Sequence, residues 1–176
     1  GQGPDGQVVG PLRRSISKDA GLTTLSVQLP VLATADYLAY ASTFPDAYKT
    51  LQAAIEYLSK DKGVKRIYVL GYSMGARTTT AFLAATDTPA VSGYIGVGVL
   101  EGGGDLLDAN LNIRKLKVPI LDLYADSTPL DLRSADNRKG LVGPQYKQIR
   151  ISGANHSFKG YETELSREIV AWLKSQ

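Results

Sequence analysis

Five consecutive residues, Gly71-Tyr72-Ser73-Met74-Gly75, are the part of this sequence best suited to covalent chemistry. A serine hydroxyl is a poor nucleophile until a base takes its proton. It must also be held open to substrate. A sharp turn from a strand into a helix does this, and small residues two before and two after the serine let the turn close. The flanks agree with that reading. Arg66–Gly71 is a short apolar run that reads as a buried strand, and Ala76–Ala85 reads as a helix of small residues. Such a helix aims its positive end at a developing oxyanion, with the Met74 amide as one donor.

The base has one candidate, because His156 is the only histidine. In the chain order nucleophile, acid, histidine, the base follows the last strand. His156 occupies that place, between the expected strand Tyr146–Ile151 and the closing helix. The third member is expected to be a carboxylate beyond a strand end between the two, where it orients the imidazole. Asp126, just past the expected strand Val118–Tyr124, is the first choice. Glu101, at the end of Val91–Leu100, is the alternative. Asp122 falls inside its strand, and Asp131 lies further along the loop than the pattern asks.

The elements that must carry these groups alternate along the chain. Residues 1–11 are rich in Gly and Pro and read as a loop, and 12–20 as a short helix ended by Gly21. Thr23–Leu32 reads as a strand, and 33–45 as a loop with Tyr37 and Tyr40. Pro45-Asp46 opens a helix whose Leu51, Ala54, Ile55 and Leu58 share one face. A short helix is expected near 130–139. The final helix places Leu165, Ile169, Trp172 and Leu173 together. Continuous apolar strands alternating with helices describe a parallel sheet covered on both faces.

Composition narrows the function classes. The 176 residues suit one domain, 1–176, and the 43% hydrophobic and 21% charged content is that of an ordinary globular chain. The net charge is +3, and its densest spots, Arg13-Arg14 and the Arg114, Lys115, Lys117 group, read as solvated surface. No nucleic-acid partner is expected. With no cysteine there is no disulfide, thiolate or zinc–cysteine site, and with one histidine and no carboxylate cluster no metal is expected. No apolar run approaches the ~20 residues of a membrane span. The compartment stays open between periplasmic or secreted and cytoplasmic, and so does the oligomeric state.

Taken together, these residues resemble the α/β-hydrolase superfamily. More narrowly, the chain is similar to a set of small bacterial hydrolase-like (esterase-like) proteins. The matching pieces are Leu25–Leu32, Phe44-Pro45-Asp46-Ala47, Gly71–Ala76, Pro119–Tyr124 and Ala154-Asn155-His156, spread over essentially the whole chain. The resemblance implies an α/β fold with a mostly parallel sheet, about five strands within these residues, and helices on both faces. It also implies an oxyanion loop at Gly1-Gln2-Gly3-Pro4, with the Gln2 amide as second donor. The superfamily's third strand precedes that loop, between the strands matching Thr23–Leu32 and Arg66–Gly71. This strand and the two before it have no counterpart in 1–176, so N-terminal strands are expected to be missing, or the flanking strands to pair directly.

The activity so implied is hydrolysis of carboxylic ester or thioester bonds in a small-molecule substrate through an acyl-serine, without a cofactor. An acyltransferase with the same triad and a non-catalytic binding or assembly module are the alternatives. No large lid insertion interrupts the elements, so an open, shallow site is expected, with Tyr37, Tyr40, Tyr72 and Met74 as candidates to line it.

Overall fold

Three apolar runs and one mixed run become strands: β1 (Ile67–Tyr72), β2 (Val91–Val97), β3 (Ile120–Ala125) and the mixed β4 (Tyr146–Ile151). The computed structural model describes residues 5–176. Within them the strands lie side by side in chain order, each parallel to its neighbour. The helices are α1 (Val9–Ala20), α2 (Phe44–Glu56), α3 (Met74–Ala85), α4 (Gly104–Leu107), α5 (Ala109–Ile113), α6 (Pro129–Asp136) and α7 (Glu162–Ser175).

Alternation along each strand sorts the helices between the two faces. Ile95 and Val97 of β2, with Leu121 and Leu123 of β3, point to one face. There they meet Leu12 and Ile16 of α1 and Leu165, Ile169 and Trp172 of α7. On the other face Ile67 and Val91 pack with Leu51 and Ile55 of α2 and Phe82 of α3. Tyr94 and Ile120 join Ile113 of α5 and Tyr146 there. Because the strands are parallel, their carboxyl ends share one edge. The turns after Tyr72, Val97, Ala125 and Ile151 therefore converge, which is where open α/β sheets build their sites.

The parallel α/β architecture is as expected, but the sheet has four strands among the described residues, not five. Thr23–Leu32 is not a strand: residues 21–32 run without regular structure. A strand forms only where a neighbour completes its ladder, and its propensity mostly reports fit to a paired, half-buried surface. This segment finds other partners. The Leu32 N–H and carbonyl both bond the Tyr40 hydroxyl, at 3.3 and 3.4 Å. Leu29 alone packs on the α2–α3 cluster, while Leu25 and Val31 are exposed. The loop at 33–45 contains a 3₁₀ helix, Tyr37–Thr43, which Asp36 caps by accepting from the Leu38 amide. No helix among the described residues is long and apolar enough to cross a membrane.

A buried polar network ties β3 and β4 to α5 and α6. Asp122 of β3 and Arg138, just after α6, are both fully buried and meet at 2.9 Å. Arg138 also donates to the Val99 and Ser134 carbonyls and to Asn110 Oδ1. Tyr146 and Gln148 of β4 donate to the Asp122 carboxylate. Burial pushes the guanidinium pKa down, but Asp122 and Tyr146 outweigh it and hold Arg138 above its ordinary value.

Candidate active site

The turn between β1 and α3 is built by its residue types. Ser73 takes φ 53° and ψ −116°, a conformation costly for a residue with a side chain. Its amide bonds the Val97 carbonyl at 3.0 Å, and its own carbonyl accepts from Ala76 and Arg77. The surroundings thus hold the strain in place. Gly71 is required, since a Cβ there would stand 2.7 Å from Ala76 Cα and 2.8 Å from the Gly75 carbonyl oxygen. Gly75 is not required in the same way: its Cβ would meet nothing on this chain within 4 Å. The expectation that both glycines relieve clashes holds for the first alone.

Ser73 Oγ lies 2.9 Å from His156 Nε2. His156 Nδ1 lies 2.9 Å from Asp131 Oδ1 and 3.1 Å from Oδ2. A carboxylate can only accept, so Nδ1 carries the hydrogen, and Nε2 is left to accept from the serine hydroxyl. The imidazole is held from several sides. Its amide donates to Thr128 Oγ1 at 3.0 Å, and its carbonyl accepts from the Tyr72 hydroxyl at 3.1 Å. The Tyr72 ring stacks on it with centroids 6.0 Å apart. Burial, then the Asp131 charge, raises the Tyr72 pKa above its ordinary value, keeping that hydroxyl a donor.

Asp126, expected beside the histidine, does not reach it; the carboxylate that the fold brings there is Asp131. Asp126 accepts from the Gly153 amide at 2.6 Å and lies 3.7 Å from Arg150. Ser127 beside it donates twice to the Ala154 carbonyl. These bonds tie the turn after β3 to the loop that carries His156. Pro129 then starts α6 at once, because its fixed φ suits the first helical turn. The chain folds back, and Asp131, in that first turn, faces the imidazole with its side chain 1% exposed. The signal for it was Thr128-Pro129, a helix start that shortens the apparent loop.

Glu101, the alternative acid, also faces elsewhere. Its carboxylate accepts from Arg133 Nε at 2.8 Å, Asn137 Nδ2 at 2.6 Å and Asn110 Nδ2 at 3.2 Å. Its amide donates to Ser134 Oγ. Glu101 therefore braces α5 and α6. A second brace, Arg77, escaped the sequence reading. It lies one turn past Ser73 and donates to the carbonyls of Gly102 and Leu107, both at 2.6 Å, and of Glu101 at 2.9 Å. Burial pushes its pKa down, with Tyr37 and Asp108 acting the other way. Gly102, Gly103 and Gly104 all have positive φ, so their backbone can bend to this one guanidinium. The triple glycine was the visible sign of such a loop; its donor came from a distant helix.

The Met74 amide opens α3, where the first amides lack an intrahelical acceptor. Gln2, expected as the second oxyanion donor, lies outside the described residues. Beside Ser73 is a cavity of about 490 Å³ lined by Tyr37, Met74, Leu100, Gly102, Leu130 and Arg133, among others. Of the four expected lining residues, Tyr37 and Met74 are there. Tyr40 instead bonds Leu32, and Tyr72 packs on His156.

Gly98, at the end of β2, has φ 59°, and a Cβ on it would stand 3.0 Å from His156 Cε1 and 3.2 Å from Nδ1. Gly98→Ala is expected to push the imidazole off Ser73 and to slow about 100-fold any reaction that relies on this pair, the scale of a misplacement near 1 Å. Steady-state kinetics on a variant shown by its melting curve to be folded would check this. A wild-type kcat would sink it.

Comparison with solved structures places the chain beside α/β-hydrolase-fold proteins. It is similar to NosK from Streptomyces actuosus at TM-score 0.69 and 17% identity, over 99% of this chain and 94% of that one. An alpha-beta serine hydrolase homologue from Coxiella burnetii gives TM-score 0.66 at 16% identity, over 96% and 77% of the two chains. An esterase from Pyrococcus furiosus gives 0.67 at 14%, over 96% and 75%. At these identities the likeness shows the fold. Comparison with curated proteins finds no sequence match. A family model described as Protein of unknown function (DUF3530) matches residues 46–175.

Proposed function

We propose, for a chain that belongs to the family Protein of unknown function (DUF3530) and has the α/β-hydrolase fold, that it is a serine hydrolase cleaving carboxylic ester or thioester bonds of a small-molecule substrate. The observation that carries this reading is the relay from Ser73 Oγ through His156 to Asp131, with both links at 2.9 Å.

In the proposed reaction Ser73 Oγ attacks the acyl carbon as its proton passes to His156 Nε2. The carbonyl oxygen gains the negative charge and turns toward the start of α3, where the Met74 amide donates to it. Asp131 holds the imidazole in its reactive tautomer and stabilises the cation. Collapse of the intermediate breaks the bond to the alkoxide or thiolate, which takes the proton from His156 and departs. A water molecule then gives its proton to His156, attacks the acyl-serine, and releases the acid as Ser73 recovers its proton. Two features support covalent chemistry over simple binding: the strained Ser73 backbone, and a base already within hydrogen-bond reach of the nucleophile.

A fluorophosphonate tests this reading directly, since it reacts with an activated serine and not with an ordinary hydroxyl. One phosphonyl adduct per chain, mapped to Ser73 by peptide mass spectrometry and lost in His156→Ala, is the expected result. An unlabelled protein, or labelling that His156→Ala leaves intact, would leave the fold serving a binding role instead.

A further inference from the structure

We infer that the site takes acyl groups with an apolar chain of medium length, about eight carbons, in preference to acetyl. This inference rests on the ester-hydrolase reading above and adds the class of acyl group.

The cavity beside Ser73, about 490 Å³, is of the size that holds ligands much larger than an acetyl group. Most of its polar groups are already committed within the chain. Both Asp108 oxygens accept backbone amides, from Gly102, Asn110 and Leu111. Both Glu101 oxygens are bonded to side chains, and Arg77 spends its Nη atoms on three carbonyls. The cavity therefore offers an entering acyl group the side chains of Tyr37, Met74, Leu100 and Leu130, together with the Arg133 guanidinium, which is bonded to Glu101 through Nε.

Exposure outside the cavity points the same way. Of nine large apolar side chains that stay exposed among the described residues, five are Tyr37, Leu38, Leu106, Leu111 and Leu130. Two of these line the cavity. The other three sit on elements that flank it: the 3₁₀ helix at 37–43, which packs on α4, then α4 and α5. Isolated exposed apolar residues are ordinary, but several on the elements around one cavity point to an interaction surface there. Inward, Met74 packs with Phe44, Ala81 and Leu107, so the apolar surface continues from the nucleophile's neighbour into the core. A chain of about eight carbons esterified at Ser73 covers the cavity wall and reaches that rim, whereas an acetyl group leaves both in water.

The test is kcat/KM for p-nitrophenyl acetate and p-nitrophenyl octanoate, kept below the concentration at which the octanoate forms micelles. In the wild type the octanoate-to-acetate ratio is expected to be about ten or more, since even single methylenes in apolar pockets give discriminations of that order. In Leu38→Ser/Leu106→Ser, two exposed positions, and with a melting curve to show that the variant is folded, the ratio is expected to fall toward one. A wild-type ratio of one or less, or an unchanged ratio in the double variant, overturns the inference while leaving the hydrolase reading standing. If neither ester turns over and fluorophosphonate does not label Ser73, the hydrolase reading falls, and the inference with it.

Discussion

Asp131→Asn is expected to lower kcat for an ester by about 10³- to 10⁴-fold, while Asp126→Asn stays within about threefold of wild type. An asparagine at 131 preserves shape but presents either an amide oxygen or an amide N–H to His156. It cannot stabilise the imidazolium, and the wrong tautomer turns Nε2 from acceptor into donor toward Ser73. At 126 the substitution costs little, because the asparagine oxygen can still accept from the Gly153 amide. What it loses is a 3.7 Å approach to Arg150, whose side chain is 61% exposed, and such pairs contribute little. Steady-state kinetics on both variants, with melting curves to show that each is folded, separates the two carboxylates. An Asp126→Asn defect as large as that of Asp131→Asn would return the acid to the position the sequence pattern favours.

Arg138→Met is expected to cost about 3–5 kcal/mol of folding stability, the range for removing one partner of a buried ion pair. The arginine and Asp122 are both fully buried, so the carboxylate would be left without its cation. Tyr146 and Gln148 would still donate to it, which moderates the loss without supplying charge. The Val99, Ser134 and Asn110 oxygens would lose a donor as well. For a chain of this length the melting temperature is expected to fall by about 6–20 °C. Urea unfolding of the two proteins measures the difference directly. A loss under about 1 kcal/mol would show the network to be dispensable. Because Arg138 ends the segment that begins with Asp131, a folded variant is also expected to lose activity below its melting point.

Much of the fold was legible because its signals are local. The runs around Val69, Ile95 and Leu121 are largely apolar on both faces, as strands covered on both faces need, while β4 around Ile149 alternates with Lys147, Gln148 and Arg150 at the outer position of the sheet. The faces of α2 and α7 were visible as three- and four-residue spacings. Thr23–Leu32 misled because it has the composition of a strand, while strand formation depends on a neighbour that composition does not reveal. The short helices α4 and α5 escaped because their four and five residues carry too little periodicity to read.

Ser73 and His156 were readable for different reasons. The turn around Ser73 is made by contiguous residues, so its geometry is written in five positions of the chain. His156 was found by having no competitor. The carboxylate that faces His156 had several competitors, and they are close together: Asp122, Asp126 and Asp131 span one strand, the turn after it and the start of α6. Which of them faces the imidazole depends on how the Ser127 and Asp126 bonds to the 153–154 loop turn the chain, and on how soon Pro129 starts α6. Those contacts join residues about 27 positions apart. By itself the sequence determined the parallel α/β plan, the turn around Ser73 and the choice of His156. Only the tertiary structure decided which carboxylate faces His156, what Arg77 bonds and the shape of the cavity, because each is set by long-range hydrogen bonds whose partners no local spacing can name.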